Sequence, residues 1–169
     1  MRYSIPLIMW IGALARAAPD TTPRFEDFLV DVWHGMPAPI QITTRAERRF
    51  KTRLTNAAKQ EPNFGGHYRF TVWGCGSECI SGAIIDLQTG RIFSPPLARP
   101  GGSWMHFSVC QSAYENSGVD VRVSSRLLVL RCGLNYSERE QANVPEAYYF
   151  VWEGNRFKQI FHAPGARKH

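Results

Sequence analysis

Gly82-Ala83-Ile84-Ile85-Asp86-Leu87-Gln88-Thr89-Gly90-Arg91-Ile92-Phe93 is the stretch that decides the fold. An aliphatic run, a polar turn ending in glycine and a second apolar run read as two antiparallel strands joined by a hairpin. Just upstream, Arg69-Phe70-Thr71-Val72-Trp73 shows the period of two that marks a strand. Downstream, Val119-Asp120-Val121-Arg122-Val123, Leu127 to Cys132 and Tyr148-Tyr149-Phe150-Val151-Trp152 repeat the signal. Glu153-Gly154-Asn155 then turns the chain into Arg156-Phe157-Lys158-Gln159-Ile160-Phe161, a closing hairpin. Trp104 to Cys110 makes a further strand, after a long loop marked by Pro95-Pro96 and Pro100-Gly101-Gly102. Short strands joined by turns predict a mainly β domain with one N-terminal helix, built as an antiparallel sandwich, a barrel or a partial propeller.

The helix precedes the strands, over 44–60. Thr44-Arg45-Ala46-Glu47 has capping-box spacing, and Ala46, Phe50, Leu54 and Ala57-Ala58 recur on one face before Pro62. Arg45, Arg48, Arg49, Lys51, Arg53 and Lys59 fill most of the remainder. They read either as an anion-binding face or, more simply, as a solvated surface. Residues 18–43 carry Pro19, Pro23, Pro37 and Pro39 and read as irregular. The run from Phe25 to Trp33 offers one short element whose aromatics pack on the main domain.

The N-terminus reads as a secretory signal. Arg2 is followed by an uncharged run from Ile5 to Leu14, and Ala15-Arg16-Ala17 ends it with small residues. A spanning helix needs about 20 apolar residues, twice this run. The expected product is an exported chain, periplasmic or secreted, with residues 1–17 removed and 44–169 as one β-rich domain. No later stretch is long and apolar enough to span a membrane.

Export gives the cysteines their meaning. An even set, Cys75, Cys79, Cys110 and Cys132, in an oxidising compartment implies two disulfides. Four extended residues span about 13 Å, whereas bridged Cα atoms lie about 4.4–6.8 Å apart. A Cys75–Cys79 bridge therefore needs a turn, which Gly74 and Gly76 permit, leaving Cys110–Cys132 as a cross-sheet staple. The alternative ties Cys110 and Cys132 to Cys75 and Cys79.

The segment around the first pair carries a resemblance. Asn63-Phe64 with Gly66 and Tyr68, then Trp73-Gly74-Cys75-Gly76 with Cys79, then Gly82-Ala83-Ile84-Ile85-Asp86 with Thr89-Gly90 give three linked motifs. They read N-F-x-G-x-Y, W-G-C-G-x-x-C and G-A-I-I-D-x-x-T-G. The pattern resembles a group of small exported bacterial proteins. The likeness implies export and fold type, and brings no catalytic residue with it.

Chemistry is thin elsewhere. A thiol nucleophile would pair His67 with Cys75 or His106 with Cys110, but two disulfides leave no free thiolate. C-x-x-x-C without a second pair is a poor zinc motif, so neither metal nor cofactor is expected. Glu78 and Asp86 offer a carboxylate pair for glycoside cleavage, although an Asp before a hairpin turn is ordinary turn chemistry. Aromatics are numerous, and Tyr68, Trp73, Trp104 and His106 are the candidate binding surface, since such rings dominate interface hot spots.

The formal charge of +6 falls slightly when Arg2 and Arg16 leave with the signal. Dispersed cations on an exported chain do not indicate a nucleic-acid partner. The reading favoured by sequence is a non-catalytic binding protein of the cell envelope. Its partner is another exported protein, as for an inhibitor or immunity-type factor. A basic chain sets aside inhibition of strongly basic lysozymes, which calls for an acidic surface. The alternatives are an envelope hydrolase using His67, Glu78 or His106, and a structural protein holding acidic polymer through the arginine-rich helix.

Overall fold

The computed structural model describes residues 22–76, 79–96, 118–132 and 146–164. Strands β1 (Tyr68–Gly76), β2 (Cys79–Asp86) and β3 (Ile92–Phe93) form one antiparallel sheet in that order. A second antiparallel sheet runs β4 (Gly118–Val121), β5 (Leu127–Cys132), β6 (Glu146–Trp152) and β7 (Phe157–Ala163). Both expected hairpins form, with Ile85 opposite Ile92 and Trp152 opposite Phe157. Among the described residues the two ladders stay separate, so the barrel alternative is not what forms: neither sheet closes on itself.

The strand period explains the layering. Tyr68, Phe70 and Ile84 from the first sheet meet Leu128, Leu130, Phe150 and Trp152 from the second, with Phe64, in one shared core. The alternate residues face outward and are buried too. Trp73, Ala83 and Ile85 lie under the helix with Leu54, Ala57 and Ala58, and Leu127, Val129, Tyr149 and Val151 lie under Phe25 and Phe28. Strands covered on both faces lose the apolar–polar alternation, which is why Leu127-Leu128-Val129-Leu130 is unbroken. Each fully buried aliphatic side chain contributes about 1.5–3 kcal/mol.

The capping box forms as read: Glu47 N–H donates to Thr44 Oγ1 at 3.1 Å, and Thr44 N–H donates to Glu47 Oε2 at 2.6 Å. The single helix expected over 44–60 is instead two, α1 (Arg45–Arg49) and α2 (Lys51–Ala58). Phe50, at φ −109° and ψ 16°, leaves helical geometry, and its N–H reaches back three residues to Glu47 O. Its ring packs 5.2 Å from that of Trp73, so the break sits where an aromatic turns onto the sheet.

The proline-rich segment 22–43 is a strap rather than a tail. A 3-10 turn at Phe25–Phe28 covers the outer face of the second sheet. Val30 N–H then donates to Ser124 O, Trp33 N–H to Gly66 O, Ala38 N–H to Leu87 O and Gln41 N–H to Gly90 O. The strap therefore crosses from one sheet to the other. Gly66 (φ +89°) and Gly90 (φ +76°) let it approach: a Cβ there would lie 2.5 Å from Asp31 O and 2.0 Å from Pro39 O. Only glycine combines that φ with that closeness.

Cys75 is the extra residue of a bulge, since Gly74 pairs with Ile80 and Gly76 with Cys79. The sulfur positions, Cys110 and the strand expected from Trp104 to Cys110 lie outside the described residues. No described helix is long and apolar enough to cross a membrane.

Candidate functional site

Two of the four residues of the candidate aromatic surface, Tyr68 and Trp73, are buried and point to opposite faces of the sheet. Tyr68 and Trp73 are five positions apart on one strand, so the period of two sends them to opposite faces. Tyr68 enters the inter-sheet core, 7% exposed, its ring 5.3 Å from that of Trp152. Burial pushes its phenol above the usual tyrosine value. Trp73, also 7% exposed, sits under the helix against Phe50. Burying such large rings is worth more than displaying them singly. Trp104 and His106 lie outside the described residues.

Of the acid–base candidates, His67 and Asp86 come together at the first hairpin turn. Asp86 is engaged by its own turn, accepting from Gln88 N–H at 2.9 Å and from the Thr89 hydroxyl at 2.8 Å. His67 Nε2 stands 3.6 Å from Asp86 Oδ1, beside the Tyr68 ring. Glu78 lies outside the described residues. A second grouping, missed in the sequence, spans β6 and β7: Glu146 Oε1 accepts from Tyr148 Oη at 2.7 Å and lies 2.7 Å from His162 Nε2. The Tyr148 and His162 rings stack at 4.3 Å. The Tyr148 and His162 bonds hold the Glu146 carboxyl below its usual value, while burial and then Glu146 push the Tyr148 phenol up to about 12. Strand register makes this group, because Tyr148 sits opposite His162. No sequence spacing announces it. Among the described residues, no three His, Cys, Asp or Glu side chains converge as metal ligands.

What does stand exposed is the cationic side of the helical pair. Leu54, Ala57 and Ala58 anchor α2 on the sheet, which turns Lys51, Arg53 and Lys59 to solvent, beside Arg45, Arg48 and Arg49 of α1. The one acid of these helices, Glu47, is buried and spent on the N-cap. Arg48 donates to Thr43 O at 3.1 Å, and Arg49 lies 5.8 Å over the Phe50 ring. None of the six cations makes an ion pair among the described residues. By contrast, Arg122 holds Glu26, Arg131 holds Asp120 and Arg156 holds Glu153. Like charges at helical spacing repel by about 0.2–0.5 kcal/mol per close pair.

Compared with known protein families, with curated proteins and with solved structures, the chain gives no match.

Proposed function

We propose that this chain is an exported, non-catalytic binding protein of the cell envelope whose partner is an anionic polymer, held by the cationic face of α1 and α2. The observation that carries the reading is six exposed cations that make no ion pair among the described residues. The exported-protein partner rested on an aromatic surface, and two of its four residues are core. Of the residues a hydrolase reading would use, His67 faces an Asp86 carboxylate that is engaged by its own turn, and Glu78 and His106 lie outside the described residues. Export follows from the N-terminal signal pattern, and Cys75–Cys79 with Cys110–Cys132 is the disulfide pairing that goes with it.

The test is retention of the full chain on an immobilised carboxylated polysaccharide. Replacing Arg48, Arg49 and Arg53 together by Gln should lower affinity about tenfold, given at most ~1 kcal/mol per exposed pair. Salt should weaken wild-type binding as the Debye length shortens. Equal retention of the triple variant, with its circular dichroism unchanged, would remove the reading.

A further inference from the structure

A groove of about 540 Å³ opens between β3 and the β6–β7 hairpin, and none of the six helix cations lines it. Its floor is aromatic: Phe93, Phe150 and Phe157 line it. Trp152 backs them, with ring centroids 5.3 Å from Phe93 and 4.8 Å from Phe157. Its rim is polar, carrying Asn155, Arg156 and Gln159. The volume falls within the range of small-molecule sites, about 300–1,000 Å³, and the lining is an open mixture of aromatic and polar side chains.

Two details set the ligand's chemistry. Arg156 is ion-paired through its Nε with Glu153 at 2.8 Å, and among the described residues its two terminal nitrogens have no other acceptor. A second guanidinium, Arg91, lies 5.2 Å over the Phe93 ring. The β7 ladder also bends at the groove. Tyr149 pairs with Phe161 but Phe150 pairs with Gln159, so Ile160 is the bulged residue. The bulge sets an amide against Phe150 where regular register would set Ile160, and leaves Ile160 37% exposed. Bulges re-aim side chains beside sites in this way.

We infer that this groove binds a small amphipathic anion, its flat apolar body on Phe93 and Phe157 and its acidic head on Arg156. The site is separate from the polymer-binding face and independent of it.

The experiment titrates the folded full chain with 8-anilinonaphthalene-1-sulfonate and with its uncharged counterpart, N-phenyl-1-naphthylamine. One saturable sulfonate site is expected. Arg156→Gln should weaken it about tenfold or more, the scale of a hydrogen bond to a charged group, while the neutral probe changes less than about twofold. Ser94→Trp, which plugs the groove, should remove both; amide chemical shifts of Asn155, Arg156 and Gln159 should move in the wild type even where that variant fails to fold. The Arg48, Arg49 and Arg53 triple variant should bind the sulfonate normally, which separates this site from the polymer face. Absence of saturable binding, sulfonate affinity indifferent to Arg156→Gln, or shifts confined to other residues would each overturn the proposal.

Discussion

Ser125 and Ser81 are both fully buried serines, and their hydroxyls have opposite standing. Ser125 Oγ donates to Phe25 O at 2.8 Å, a hundred residues away in sequence, and accepts from Leu127 N–H at 3.2 Å. Ser81 Oγ has no hydrogen-bond partner among the described residues. An unmade buried hydrogen bond costs about 1–3 kcal/mol. Ser125→Ala should therefore lower unfolding free energy by about that amount, whereas Ser81→Ala should be neutral or stabilising. Urea denaturation of the two variants reads the difference directly, and equal losses would contradict it. Neither serine differs from any other polar residue in the sequence. Their unlike roles come from the strap, which brings the Phe25 carbonyl to the Ser125 hydroxyl.

At the scale of the element, the start of α1 is the best-determined piece. The Glu47 carboxylate is buried, which alone would raise its pKa. Bonds from the Thr44 and Thr43 backbone and hydroxyl groups outweigh burial and hold it below the usual carboxylate value. A folded pKa below the unfolded one means that the stabilisation is present above the unfolded value and is lost as pH falls through the folded one. Stability should therefore decline below about pH 5, and Glu47→Gln should flatten that limb at a cost of about 1 kcal/mol near neutrality. Thermal melts across the acid range test this; an unchanged slope in the variant would sink it. The capping box is local, so Thr44 and Glu47 reveal it in sequence. The break at Phe50 is not local, because it depends on where Trp73 stands across the sheet.

The whole molecule is held by a segment whose sequence reads as irregular. Residues 22–43 bring Phe25 and Phe28 to one outer face and Trp33, Ile40 and Ile42 to the other, with backbone hydrogen bonds to both sheets on the way. Removing them would expose Leu127, Val129 and Val151 together with part of the cluster around Trp73. A chain beginning at Thr44 should lose its cooperative denaturant transition, while the full chain keeps one sharp midpoint. A truncated chain of unchanged midpoint would show that the strap is not structural. The aromatics of this segment already signal packing, but its proline content hides the path.

The hairpin from Gly82 to Phe93, its glycine turn, the closing hairpin and the capped start of α1 were determined by the sequence alone, because neighbouring residues make their hydrogen bonds and set their periodicity. The expected export signal, too, is read from sequence alone. Tertiary structure decided which rings are core and which line a groove, that Glu146 meets His162, and that the helix cations face solvent without an ion pair among the described residues. Those outcomes depend on register between strands and on burial between layers, and both are set by contacts across the chain rather than along it.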